Sequence, residues 1–288
     1  MKNQLKTLAL LGGLTALFVG IGGAIGPTYL YGALFFALLM NVGAYFYSDQ
    51  IVLRMNGARI VDRSSAPDLY GMVEELATKA ELPTPKVAII EDPAPNAFAT
   101  GRNPEKGVVA VTTGILRILD RRELRGVIAH ELGHIKNRDI LLQSVAAVIA
   151  SSISGVANLL MWLPLFGGSD DEDAPNPLAA LALAFVAPMA ATLIQFGISR
   201  SREFLADETG ARIAGDPEAL ASALMKLERG VQAMPSPAQP ATASMFIVNP
   251  FGGTDAPHAS FGGGGVSKWF STHPSTTERV QRLRALRA

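Results

Sequence analysis

The chain is expected to be mainly α with a small β-sheet, an α+β fold in which helical transmembrane segments carry a mixed body at the bilayer surface. Three observations predict this. Hydrophobic residues make up 49% of the 288 residues, with a mean hydropathy of +0.26, which is high for a soluble domain. Long stretches carry no charge: Leu8 to Tyr47, Leu141 to Gly168 and Pro177 to Ser199. Between and after them come short β-like runs and amphipathic helical patterns bounded by turn residues.

The first uncharged stretch divides at "GGAIGPTY", Gly22 to Tyr29, into two runs that each approach the ~20 residues a spanning helix needs. A tight N-terminal transmembrane hairpin over residues 1–48 follows. Lys2 and Lys6 would also suit the start of a signal peptide, but a second apolar run follows at once and favours the hairpin. The two later runs make a second hairpin over 141–199, joined by an acidic loop at 167–177 that holds Asp170, Asp171, Glu172 and Asp173 and no Lys or Arg. Lys2, Lys6, Arg54, Arg59, Lys136, Arg138, Arg200 and Arg202 lie at the other ends of the runs. The positive-inside rule therefore places both termini and residues 49–140 and 200–288 in the cytoplasm, with the acidic loop outside.

In the first cytoplasmic part, Asp62 to Lys79 reads as a helix with Leu69, Met72, Val73 and Leu76 on one face, and "KVAII", Lys86 to Ile90, as a strand. The stretch "EDPAPNAFATGRNPEKG" is rich in turn formers. "VVAVTTGIL", Val108 to Leu116, reads as a strand running into a helix, and Asp120 with Glu123 three residues later signals the start of another. In the second part a helix ends at Gly215, Pro217 opens one that reaches about Arg229, and Ser275 with Glu278 starts a last helix bearing Val280, Leu283 and Leu286. Residues 233–265, rich in Pro, Gly, Ala and Ser, read as a flexible surface segment.

Net charge is zero and basic residues are scattered, so nucleic acid is not an expected partner. With no cysteine, only His, Asp and Glu remain as strong metal ligands. They converge in "VIAHELGHIKNRD". On a helix His130 and His134, four apart, present two imidazoles to one ion, and Glu131 is turned aside, near enough to act on a zinc-activated water without ligating. That is the layout of a hydrolase: the ion polarises a peptide carbonyl, and the glutamate moves the proton. Zinc needs a third protein ligand. Glu203 and Asp207 in "SRSREFLADETGARIAG" are again four apart, so one can ligate while the other orients a histidine; the same spacing suits an ion-paired face beside Arg200, Arg202 and Arg212.

The order of motifs, "PNAFATG", "VVAVTTGIL", "VIAHELGHIKNRD", "SREFLADETGA" and "STHPSTTERVQRL" with the hydrophobic runs between, resembles the HtpX-type integral-membrane zinc metallopeptidases, related to the CAAX prenyl endopeptidases. The resemblance implies a zincin-like catalytic body, one Zn2+ per chain on His130, His134 and Glu203, Glu131 as catalytic base and Asp207 behind the ligands. It also implies that His273 helps stabilise the oxyanion, and that Asn96, Ala97, Phe98 and Ala99 form an edge strand that binds substrate backbone. Arg279 matches a position in the terminal motif and equally suits an exposed helix charge, while His258 matches none. The implied activity is zinc-dependent endoproteolysis of membrane or misfolded proteins at the cytoplasmic face of the bacterial inner membrane. A zinc-containing scaffold or chaperone-like binder is the alternative, disfavoured because a structural site has no use for Glu131. A transporter is disfavoured because the spans hold no charge.

Overall fold

The computed structural model describes residues 2–152, 200–233, 245–248 and 274–286. The acidic loop, the uncharged run at 177–199, most of the run at 141–168, and His258 and His273 lie outside the described residues. Within them the protein is mostly helical, with one four-stranded mixed sheet.

Helices α1 (Lys2–Ile25) and α2 (Pro27–Met55) form the N-terminal hairpin. Gly26, at φ 156°, and Pro27 make the break between them. Side chains pair across it in antiparallel order: Asn41 Nδ2 donates to the Leu11 carbonyl at 3.1 Å and to Thr15 Oγ1 at 2.8 Å, and the Phe18 and Phe36 rings meet edge to face. A Cβ on Gly22 would fall 2.5 Å from that of Ala33, so the helices touch there because one position lacks a side chain. α2 is long and apolar enough to cross a membrane, and Tyr29, Tyr31, Phe35, Leu38, Leu39 and Val42 stand exposed along it. Its last turns are different: Ala44, Ser48 and Val52 are buried against the body. The helix therefore runs past the expected hairpin boundary without a break.

The sheet has the order β1-β2-β4-β3, with β1 (Arg59–Val61), β2 (Lys86–Ile90), β3 (Ala97–Thr100) and β4 (Val108–Thr112). β2 and β4 run parallel; β1 and β3 flank them antiparallel. Alternation divides the side chains between two cores. Val87, Ala97, Ala99, Val109 and Val111 face α3 (Pro67–Lys79) and the helices behind it. Ala88, Ile90, Phe98, Val108 and Ala110 face Leu10, Leu14 and Leu17 of α1, Val52 of α2 and Leu142, Val145 and Ile149 of α6 (Ile140–Ser152). The sheet is thus packed on both sides, one toward the hairpin and one toward the remaining helices.

Those helices are α4 (Thr113–Ile118), α5 (Arg121–Lys136), α7 (Arg200–Ala214), α8 (Pro217–Ala233) and α9 (Thr276–Ala285). Two expected boundaries move. α3 begins at Pro67 rather than Asp62, because the Asp62 carboxylate accepts from the Ser65 N–H at 2.8 Å and from the Ser64 hydroxyl at 2.7 Å, folding a turn ahead of the proline. α8 reaches Ala233, about one turn beyond Arg229, and that added turn carries buried Val231. β1 was not expected, since three residues are too few for a period to register. Leu286 is exposed beyond α9, whereas Val280 and Leu283 are buried.

Candidate active site

α5 starts on a reciprocal cap: Asp120 Oδ1 accepts the Glu123 N–H at 2.8 Å and Glu123 Oε2 accepts the Asp120 N–H at 3.0 Å. From Gly126 to Ile135 every residue is buried. α7 lies directly against it. A Cβ on Gly210 would come within 2.7 Å of the His130 backbone, and one on Gly133 within 2.9 Å of the Ala206 carbonyl. Two glycines thus let the backbones touch, and that contact brings Glu203 of α7 to the histidines of α5.

His130 Nε2 and His134 Nε2 are 3.2 Å apart; Glu203 Oε2 lies 3.8 Å from the first and Oε1 3.7 Å from the second. Ligands roughly 2.0–2.2 Å from a tetrahedral ion stand about 3.3–3.6 Å from one another, and the triangle, with sides of 3.2, 3.7 and 3.8 Å, is close to that size. All three residues are buried. The opposite ring nitrogens are also held: His130 Nδ1 is 2.9 Å from Asp207 Oδ1, and His134 Nδ1 is 3.1 Å from Asp139 Oδ2. A proton kept on each Nδ1 leaves the Nε2 lone pairs turned into the triangle.

Asp207 is itself gripped. Arg279 Nε and Nη2 donate to its two oxygens at 2.8 and 2.7 Å, and Arg279 Nη1 donates to the Ile247 carbonyl at 2.6 Å. Arg279 is 2% exposed, so the alternative of an exposed helix charge does not apply. Asp139 was absent from the sequence candidates. Its signal was modest but present: an acid five residues after the second histidine, where α5 has just ended.

The electrostatics favour a dication. Glu131, Asp139, Glu203 and Asp207 surround the site with Arg279 and Arg202, so carboxyl groups outnumber guanidinium groups by four to two. Burial pushes the Glu131 carboxyl up to about 8, with the Glu203 charge adding to it. Burial pulls His134 down, but Asp139, Glu203 and Glu131 outweigh it and raise the ring to about 10. At His130 burial prevails over Asp207 and lowers the ring. Burial would raise Asp207, yet the Arg279 ion pair and the contact with His130 hold it below the ordinary carboxylate range.

β3 is the sheet's edge, and the Ala99 N–H reaches the Glu131 carboxylate. Asn96 uses its backbone on Thr112, with its N–H on Oγ1 at 2.9 Å and its carbonyl on the N–H at 2.9 Å. Its side chain meets the Ile247 N–H at 3.4 Å. Ala97 and Ala99 point toward the α5 core and Phe98 toward the hairpin core. The structure thus gathers His130, Glu131, His134, Glu203 and Ala99 around one depression, with Asp207 behind His130 and Asn96 bonded to Ile247 of its wall. Gln143, Met245, Phe246 and Ile247 complete its lining. The last three come from the stretch expected to be a flexible surface segment, yet Met245 to Val248 are all buried.

Two histidines one turn apart, a glutamate delivered by a second helix and a further glutamate against an edge strand define a metallopeptidase. Comparison with known proteins gives the particular kind. The model of peptidase family M48 matches residues 63–287, and the chain belongs to that family of zinc metalloproteases. It is 52% identical over 288 residues to the protease HtpX homolog of Burkholderia ambifaria (strain MC40-6), covering 98% of this chain and 96% of the relative. The protease HtpX homolog of Methylibium petroleiphilum (strain PM1) is also 52% identical, over 291 residues, covering 99% and 98%. The crystal structure of S. mikatae Ste24p shares the fold at a TM-score of 0.52 and 17% identity; the match covers 98% of this chain and 65% of that one.

Proposed function

We propose that the protein is a membrane-bound zinc endopeptidase that hydrolyses peptide bonds of membrane or misfolded proteins at the cytoplasmic face of the bacterial inner membrane, in protein quality control. The observation that carries this reading is the buried ligand triangle with Glu131 beside it, next to the edge strand β3. His130, His134 and Glu203 would hold one Zn2+, oriented by Asp207 and Asp139. When bound, zinc supplies a Lewis acid that polarises the scissile carbonyl and lowers the pKa of water at its open position toward ~7.

This chain's own groups do the rest. The outward edge of β3, at Ala97 and Ala99, pairs with an extended peptide by strand addition, with Asn96 and Phe98 bonded inward to β4 and fixing the register. Glu131, with basicity raised by burial into the neutral range, takes a proton from the attacking water and returns it to the departing amine. His273 donates to the oxyanion. Four spans, with both termini and the site on the cytoplasmic side, put this cleft within reach of polypeptides at the bilayer surface.

The test uses full-length protein purified in detergent. Zinc per chain and casein cleavage are measured for the wild type and for Glu131→Gln. We expect one zinc in both proteins and a loss of cleavage of roughly 10²–10⁴-fold in the variant. Cleavage undiminished by the change overturns the proposal. Zinc retained with no cleavage in either protein makes the chain a zinc-containing scaffold.

A further inference from the structure

Two side chains that line the depression have no part in holding a metal or moving a proton: Gln143 and Phe246. Gln143 sits on α6, among Ile140, Leu142, Val145 and Ala146, and is 7% exposed. Its amide makes no hydrogen bond among the described residues, whereas the neighbouring Ser144 hydroxyl bonds Thr100 Oγ1 at 2.8 Å. An amide that lines a cleft can pair with a polar group arriving there.

Phe246 is unusual in a second way. Its neighbours in sequence are committed to packing, Met245 to the hairpin-side core and Ile247 and Val248 to the helix-side core. Phe246 is 5% exposed, belongs to neither core among the described residues, and lines the depression. The position is fixed from both sides. The Ile247 N–H meets Asn96 at 3.4 Å, and the Ile247 carbonyl accepts from Arg279, the residue that also grips Asp207 behind His130. Met245 to Ile247 therefore form a wall tied to the same arginine as the metal-binding side.

We infer that Phe246 and Gln143 form the subsite that receives the substrate residue beside the scissile bond, Phe246 packing on a large apolar side chain and Gln143 hydrogen-bonding the adjoining peptide group. The inference rests on the endopeptidase reading and adds the class of residue selected. A strand laid along Ala97 and Ala99 brings alternate side chains across the depression, and the aromatic wall with one amide is the surface they meet. Pockets of this kind discriminate apolar side chains by size, about 10–200-fold for a methylene or more, and bind the backbone through few polar groups.

The experiment maps cleavage sites by mass spectrometry in casein and in a peptide set varied at one position, using full-length zinc-loaded protein in detergent. Wild type should cut beside large apolar residues. Phe246→Ala should shift that preference toward bulkier aromatic residues by about tenfold in the ratio of kcat/KM values. Phe246→Leu should shift it in the same direction by less, and it provides the measurement if the alanine variant loses zinc. Gln143→Leu should lower kcat/KM for all peptides by a similar factor, through KM, without altering the preference. An unchanged cleavage profile in a Phe246 variant that keeps zinc and activity overturns the inference while leaving the endopeptidase reading intact. A wild type that cuts nothing, or a Glu131→Gln variant that cuts as well as wild type, overturns the reading beneath it.

Discussion

The two imidazoles of the site are supported in different ways. His134 is held by Asp139, five residues along the chain, where α5 ends and α6 begins. His130 is held by Asp207 of α7, which is held by Arg279 of α9, and the same guanidinium binds the wall at Ile247. One support is local and short; the other joins three distant parts of the chain. The local contact forms with its own helix end, whereas the long-range one exists only when the whole helical layer is assembled. His130's support should therefore be coupled to global stability and His134's chiefly to metal affinity.

The sharpest way to break this contrast is Asp207→Ala. It leaves the Arg279 guanidinium buried without its partner, and losing one member of such a pair costs about 3–5 kcal/mol. Thermal unfolding of the detergent-solubilised protein should show a large loss, and Arg279→Ala should match it. Gly210→Ala comes next. Its Cβ would meet the His130 backbone at 2.7 Å, where nothing flexible can yield, so α5 and α7 must separate, at about 1–3 kcal/mol and with reduced zinc content.

Asp139→Asn should behave differently: zinc affinity falling about 10–100-fold in competition with a chelator, with the unfolding transition of the metal-free protein moved far less than by Asp207→Ala. Equal destabilisation by the two changes would erase the distinction. The smallest effect belongs to Glu123, at the opposite end of α5. Burial would raise its carboxyl, but Lys226, Ser222 and the Asp120 N–H outweigh that and hold it below the ordinary value. Its stabilisation is complete above the unfolded carboxyl's ~4.3 and disappears as pH falls through the lower folded value. Glu123→Gln should cost about 1 kcal/mol near neutral pH, and the difference should vanish in acid.

This contrast also explains what could be read from the sequence. The α5 cap, the strand "KVAII", the turn from β4 into α4, and the Gly215 and Ser275 boundaries are set by neighbours a few residues apart, and they stand where local patterns put them. The spacing of His130 and His134, and of Glu203 and Asp207, follows from one helical turn. What periodicity does not carry is the approach of one helix to another. Nothing near Gly210 says that its missing side chain faces His130, and nothing near Arg279 says that it meets Asp207, 72 residues away. Met245 to Val248 are the clearest case: their composition suits a loop, they belong to no α-helix or strand, and yet they are buried and tied to Asn96, just ahead of β3, and to Arg279 of α9.

Helix α2 has 29 residues and so is a single rod about 43 Å long. Its outer portion exposes aromatic and aliphatic side chains, and Ala44, Ser48 and Val52 near its other end are built into the core beneath the sheet. Because no break interrupts the helix between these two portions, its exposed apolar end and the end packed beneath the sheet are joined as one rigid piece, and a force on the first is felt at the second.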